Sequence, residues 1–311
     1  MKRCRGLSLM SGGLDSQLAV RVLERAGAEV EAVMFTSPFF KDDGTAARAA
    51  AALGVKLRRI DFTDDILELV RNPPHGFGGA MNPCIDCHAR MIRRAGELMN
   101  ELGYDFVATG EVQGQRPMSQ NRQSLETVAK ASGMRGRLVR PLSAKLLEPT
   151  QPEAEGKLDR AQLLDISGRG RERQIALAAE FGIAEYPSPA GGCRLTEEGF
   201  GRRLRDLMDH EGLDERLLVE LLTVGRRFRL PDGTSVVLGR DGRENALLVK
   251  RTAGGAESRL LQPTEGRIGP TAFLPAVKSE ADLALAQRLV NAYSKGTVEA
   301  DRAEFKAYQL T

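Results

Sequence analysis

The chain has 311 residues, of which 41% are apolar, 28% charged and 5% aromatic, and its formal net charge is +3. That length allows two domains and that apolar share allows ordinary cores, which excludes a disordered or fibrous chain. So small a net charge does not by itself indicate a polyanion partner, and the absence of tryptophan argues against a chain of aromatic stacking platforms for nucleic acid. No apolar run reaches membrane-spanning length, and "MKRCRGLSLMSGG" meets its glycines before a signal-peptide core could form, so a cytoplasmic protein with no membrane partner is expected. Four cysteines, at 4, 84, 87 and 193, are too few for a disulfide scaffold. In a reducing compartment a C-x-x-C pair points to metal, cluster or redox chemistry.

In chain order, Leu7 to Met10 reads as a buried strand. It runs into "SGGLDS" and then a helix with Leu18, Val22 and Leu23 at helical spacing, Ser16 being placed to cap it. Next come a strand in "AEVEAVMFTSPFF", a helix in "GTAARAAAALGV" and a strand in "KLRRIDFT"; later "YDFVATGEV" and "RLVRPL" give a fourth and a fifth. Strands separated by helix-length segments predict an α/β fold, a doubly wound parallel sheet with helices on both faces. Ligands bind such sheets beyond the carboxyl ends of the strands. The Pro- and Glu-rich "LLEPTQPEAEGK" reads as a flexible insertion or a break between lobes. From residue 214 the texture changes to a smaller α+β domain, with two short strands around the turn Pro231-Asp232-Gly233 and a helix from Ser279 to Tyr293. The expected domains are therefore 1–213 and 214–311.

A strand, a Gly-rich turn and a helix N-terminus gather unpaired N–H groups around one small volume, which suits phosphate. The turn lacks the lysine of G-x-x-x-x-G-K-[ST], Gln17 being no substitute, and it is not G-x-G-x-x-G. "SGGLDS" instead resembles the S-G-G-x-D-S loop of the ATP pyrophosphatases, which adenylate a substrate and release pyrophosphate. The resemblance implies ATP on Ser11, Gly12, Gly13, Asp15 and Ser16, with Asp15 holding Mg2+. "DFVATGEVQGQRPMSQNRQSLETV" resembles the T-G-E-x-x-G-Q-x-x-S-Q region of tRNA 4-thiouridine synthetases, a branch of that family, and adds Gly110, Gln115 and Gln120 as ATP-side residues. The resemblance covers roughly residues 6 to 212. The RNA-binding module that precedes the nucleotide domain in those enzymes, and a rhodanese-type domain, have no counterpart in the sequence given. RNA placement is thus expected of the C-terminal domain, and the sulfur donor stays open between a cysteine desulfurase and free sulfide.

"MNPCIDCHARM" and "SPAGGCRLT" resemble the N-P-C-x-x-C and G-G-C-x-L-T elements of sulfur-transferring pyrophosphatases. That implies a 4Fe-4S cluster on Cys84, Cys87 and Cys193, with one iron open to hydrosulfide. Two alternatives use the same residues: a structural zinc completed by His88 or His75, and a persulfide on Cys193 resolved by one of the pair. Cys4 is expected to be a buried structural thiol.

Between Arg116 and Lys145 stand seven basic residues, including Arg135, Arg137 and Arg140, against the single acid Glu126. With Arg194, Arg202, Arg203 and Arg205 they form an expected tRNA surface near the nucleotide loop. "VGRRFRLPDG" and "VLGRDGREN" resemble an RNA-binding domain of ribosome quality control proteins, which implies contacts from Arg226, Arg227, Arg229, Arg240 and Arg243. The expected function is ATP-dependent tRNA uridine thiolation. A sulfur insertase for a small cofactor precursor and an RNA-binding adaptor with an inert nucleotide loop are the alternatives.

Overall fold

The apolar run near the start becomes β1 (Cys4–Leu9), followed directly by α1 (Leu14–Arg25), β2 (Ala28–Thr36), α2 (Thr45–Leu53), β3 (Leu57–Asp61), α3 (Thr63–Arg71) and α4 (Cys84–Leu102). Then come β4 (Phe106–Ala108), α5 (Arg122–Ser132), β5 (Leu138–Val139), the short α6 (Gln151–Ala154) and α7 (Glu172–Glu180). This computed structural model describes residues 4–40, 42–188, 192–252 and 258–311, and the chain divides into two units, Met1–Cys193 and Arg194–Thr311. In the first unit the strands pair in parallel in the order β3-β2-β1-β4-β5, with Ser8 of β1 opposite both Ala32 of β2 and Ala108 of β4. α1 packs with α2 and α7, and α4 with α3 and α5, which gives the helical groups that a parallel sheet needs. Leu7, Leu18, Val22, Leu23, Ala32 and Phe106 are buried to 0% exposure, so β1 and β4 are central strands and α1 presents the face its spacing predicts. Chain order reverses between β1 and β4, and the crevice at their carboxyl ends is the binding place of such sheets.

Two expectations are corrected here. Ser16 does not cap α1: Gly13 is the cap residue, and Ser16, the third residue of the helix, donates its hydroxyl to Gly13 O at 2.8 Å. The Pro- and Glu-rich stretch is no break between lobes. It lies inside the first unit, where Thr150 and Glu153 form a capping box for α6, Gln151 N–H reaches Gly136 O (2.7 Å) and Asp159 N–H reaches Ala26 O (3.0 Å).

The second unit carries α8 (Glu198–His210), α9 (Arg216–Glu220), β6 (Arg226–Arg229), β7 (Ser235–Leu238), α10 (Gly242–Thr252), β8 (Arg259–Leu261), β9 (Ala272–Leu274) and α11 (Glu280–Ala292). Its strands form an antiparallel sheet in the order β6-β7-β9-β8, on which Ala286, Leu289 and Val290 of α11 close a core with Phe228, Val236, Leu238 and Phe305. Buried Asp282 accepts the N–H groups of Asp232 (3.3 Å) and Thr234 (2.9 Å) and so fixes the β6–β7 turn, where Gly233 has φ +97°. The units part at Cys193/Arg194, against 213/214 in the sequence reading. α8 accounts for the difference: Phe200, Leu204 and Leu207 are buried, and Asp206 and Glu211 both grip Arg229 of β6.

Candidate nucleotide and thiol site

The turn from β1 into α1 lies beside the switch in strand order, where Ser11, Gly12, Gly13, Asp15 and Ser16 follow one another around the N-terminus of α1. Gly12 has φ +80°, and a Cβ there would stand 2.7 Å from Ala46 N, so the turn lies against the start of α2 and two helix N-termini share the crevice. Gly110, just past β4, makes the second close approach: a Cβ would stand 2.6 Å from the Asp15 carbonyl carbon and 2.7 Å from Ser16 N. Gly110 thus seats the loop through backbone packing. Buried Gln17 staples the turn from behind, donating Nε2–H to Gly12 O (2.9 Å) and Glu185 O (3.1 Å).

Asp15 is the polar centre of this crevice. Its Oδ2 accepts a hydrogen bond from Gln115 Nε2 at 3.0 Å, while its buried Oδ1 has no partner. Burial raises its pKa; the Gln115 hydrogen bond, then the charges of Arg171 and Arg116, partly offset that rise. Gln174 of α7 lies beside it, and both polar atoms of the Gln174 side chain are buried without a partner, as are Gln120 Oε1 and Gln113 Oε1. Buried polar atoms left unpaired are expensive, and the free Asp15 Oδ1 with the unpaired Gln174 amide beside it fits a site completed by a polar ligand. An unpaired, buried carboxylate oxygen suits Mg2+, so Asp15 passes as its ligand. The sequence reading found Gln115 and Gln120 but missed Arg171, Gln174 and Gln113. The α7 pair sits some 160 residues from the loop, and only the order of the strands brings them together.

α4 opens with Cys84 and Cys87, and Cys193 bridges through its backbone to Phe40, just past β2. Burial raises the Cys87 thiol well above its ordinary pKa, with the neighbouring Cys193 and Cys84 adding to the shift, which puts the three thiols in one neighbourhood. Among the described residues no three His, Cys, Asp or Glu side chains converge on a single-ion metal site. His88 and His75 are turned to other work: His88 Nδ1 meets Glu111 Oε1 at 3.1 Å and His75 Nδ1 meets Asp86 Oδ1 at 2.6 Å. Part of the glycine loop before Cys193, Pro189 to Gly191, lies outside the described residues. Cys4 is a buried thiol at the start of β1, its pKa pushed up to about 11 by burial first and Asp105 second.

Glu111 joins the two halves of the site. It lies one residue beyond Gly110 and accepts hydrogen bonds from Arg140 Nε (2.8 Å) and Thr109 Oγ1 (3.0 Å), besides the His88 contact. Burial opposes its charge, but the Arg140 guanidinium and then His88 outweigh that and hold its carboxyl well below the usual carboxylate range. One path therefore runs from Cys87 through His88, Glu111 and Gly110 to the Asp15 backbone. This network also corrects Arg140 as an RNA contact, because its side chain is 5% exposed and also donates to Leu125 O. Arg135 is exposed and paired with Glu126, Arg137 is half-buried, and Arg116, Arg122, Lys130 and Lys145 are exposed.

In the second unit two further RNA candidates are corrected. Arg227 is 1% exposed and bonds Leu218 O and Ser235 Oγ, and Arg229 is held bidentately by Asp206 and Glu211. Arg226 is half-buried with its guanidinium 5.2 Å from the Tyr293 ring centroid, and Arg240 and Arg243 are exposed, Arg240 paired with Glu244.

The family model described as "Thiamine biosynthesis protein (ThiI)" matches residues 2–145. The tRNA-specific 2-thiouridylase MnmA of Sulfurimonas denitrificans is 34% identical over 112 residues, covering 32% of this chain and 32% of that protein. MnmA of Cutibacterium acnes is 35% identical over 123 residues, covering 33% of each. The chain thus spans about a third of the length of the curated relatives it matches. Among solved structures, a 4-thiouridine synthetase in complex with RNA and bound ATP aligns with 70% of this chain and 53% of its own, at 19% identity and TM-score 0.40. The predicted subunit of a tRNA methyltransferase from Methanocaldococcus jannaschii aligns with 57% and 76%, at 16% identity and TM-score 0.36.

Proposed function

We propose that this chain, whose residues 2–145 match the ThiI family model and part of which is similar to tRNA-specific 2-thiouridylases, is a PP-loop ATP pyrophosphatase of the tRNA thiouridylase branch, an ATP-dependent tRNA sulfurtransferase. The observation that carries the reading is the path Cys87–His88–Glu111–Gly110–Asp15, which ties a neighbourhood of three thiols to a phosphate-type loop with an unpaired carboxylate oxygen. The turn from Ser11 to Ser16 would cradle the triphosphate and Asp15 would hold Mg2+, which supplies charge neutralisation at the phosphates. A uridine carbonyl oxygen attacks the α-phosphorus, pyrophosphate leaves, and the adenylated carbon is then open to a sulfur nucleophile with AMP as leaving group.

Cys84, Cys87 and Cys193 would hold the 4Fe-4S cluster, whose open iron supplies a place for hydrosulfide. What supports this reading is that Cys193 and Cys84 both act on the Cys87 thiol, while among the described residues no three His, Cys, Asp or Glu side chains form a site for a metal ion. The persulfide on Cys193 is the competing sulfur route, and anaerobic reconstitution followed by Mössbauer spectroscopy separates them. The sulfur comes from a cysteine desulfurase or free sulfide. No helix of the described residues is long and apolar enough to cross a membrane.

The test is to delete the gene in its host, digest total tRNA and compare thiolated uridines by mass spectrometry after resupplying the intact or the Asp15→Asn protein. One thiouridine is lost and returns only with the intact form. An unchanged profile in a strain with no second thiolase overturns the reading in favour of sulfur insertion into a small cofactor precursor, which the thiamine description of the matching family favours.

A further inference from the structure

Of eleven phenylalanines and four tyrosines, only Phe77 is exposed, at 40%. It stands in "HGFGGAMNPC", the glycine-rich approach to Cys84, and hydrogen bonds hold that approach on both sides of the ring. Ahead of it, His75 donates its backbone N–H to Asp86 Oδ2 (3.0 Å) and its Nδ1 meets Asp86 Oδ1 (2.6 Å), while Gly76, with φ +74°, donates to Pro73 O (3.0 Å). Behind it, Asn82 accepts the N–H of Gly78 on its carbonyl (3.0 Å) and that of Ala80 on Oδ1 (3.0 Å), and donates from Nδ2 to Cys84 Sγ at 3.1 Å. A Cβ at Gly78 would collide with the Asn82 amide, and Met81 is buried beneath the loop at 4% exposure. One asparagine thus fixes both the backbone beside Phe77 and a thiol of the site. A phenylalanine held in water by so well anchored a loop forgoes the stabilisation that its burial would bring.

Glycine stands on both sides of Phe77, at 76 and 78, and again at 79, so no adjacent side chains widen the ring into the contiguous apolar patch that a protein partner needs. A single ring matches a single base. Sulfur reaches a ring carbon of a nucleobase only when the base has left its stack, and an aromatic side chain near the point of reaction replaces the stacking that was lost. We propose that Phe77 is a stacking platform for a nucleobase, and that the base it takes is one displaced from the tRNA toward Cys84. The second clause rests on the function proposed above; the first does not.

The chain has no tryptophan, so Phe77→Trp in the full chain places a lone fluorophore at the platform. Its emission is quenched saturably by a short oligouridylate and by tRNA, and is unmoved by polyphosphate, which has the charge but no bases. Phe77→Ala and Phe77→Leu bind tRNA about tenfold more weakly, at the Tm of the intact protein, whereas Phe77→Tyr keeps its affinity. Leucine retains apolar area without a ring, so a Phe77→Leu protein that binds tRNA as tightly as the intact one, while Phe77→Ala does not, overturns stacking in favour of plain apolar contact. No quenching by oligouridylate or tRNA overturns the platform. Quenching by oligouridylate with tRNA affinity unchanged in both Phe77→Ala and Phe77→Leu overturns the tRNA base as its occupant. If the intact protein binds no tRNA, the proposed function fails by itself, while the oligouridylate titration still decides the platform.

Discussion

At Asp15, function and stability pull in opposite directions. Burial raises its pKa, so ionising it costs the folded protein, and stability at this site is lost as the pH rises through that raised value. Asp15→Asn therefore raises stability by about 1 kcal/mol at neutral pH while abolishing the rise in Tm that MgATP gives the intact protein, both read by differential scanning fluorimetry. Glu111 behaves oppositely. Its pKa is depressed, so its contribution is present above the ordinary carboxylate value of 4.5 and is lost as the pH falls from there through the depressed value. Glu111→Gln leaves Arg140 buried without its anion, costs about 3–5 kcal/mol in urea unfolding near neutral pH, and flattens the acid limb of the stability profile. The motif "TGE" makes Glu111 visible in the sequence, but its partners His88 and Arg140 come from α4 and the end of β5, and no local pattern pairs them.

On the scale of elements, two glycines decide whether the loop can sit where it does. Gly110→Ala drives a methyl group into the Asp15 backbone, costing about 1–3 kcal/mol and the MgATP response together, whereas an alanine at Gly54, which has open space around it though φ is +73°, costs stability alone. Thermal unfolding with and without MgATP separates the two. Ser16 shows a limit of local reading. Serine before an apolar helical run signals a cap, but it is Gly13 that has the extended backbone of a cap, with φ −69° and ψ 161°, and the helix begins three residues earlier than a cap at Ser16 would allow. "LLEPTQPEAEGK" misled in the same way, because proline at the start of a helix with Thr150 before it and Glu153 after it is also a helix-start signal.

For the whole molecule, charge counted along the chain overstates the surface available to a polyanion. Arg140, Arg227 and Arg229 spend their charge or donors inside their own units, while Arg135 stays 69% exposed. Arg135→Gln with Arg137→Gln lowers the salt slope of tRNA binding, and Arg140→Ala instead lowers Tm; a slope that stays put in the first case assigns the stretch to solvation. The sequence alone determined the alternation of strands and helices, the Gly-Gly-x-Asp-Ser turn at the end of the first strand, and the three cysteines worth following, because hydrophobic period, glycine turns and thiol chemistry are local properties. It also marked the helix on Ser279 and the turn at Pro231-Asp232-Gly233. Only the tertiary structure decided which arginines are buried, that Arg171 at the cap of α7 and Gln174 within it meet Asp15, and that α8 belongs to the second unit. Burial and long-range pairing depend on how distant segments meet, and nothing within a short window of residues encodes that meeting.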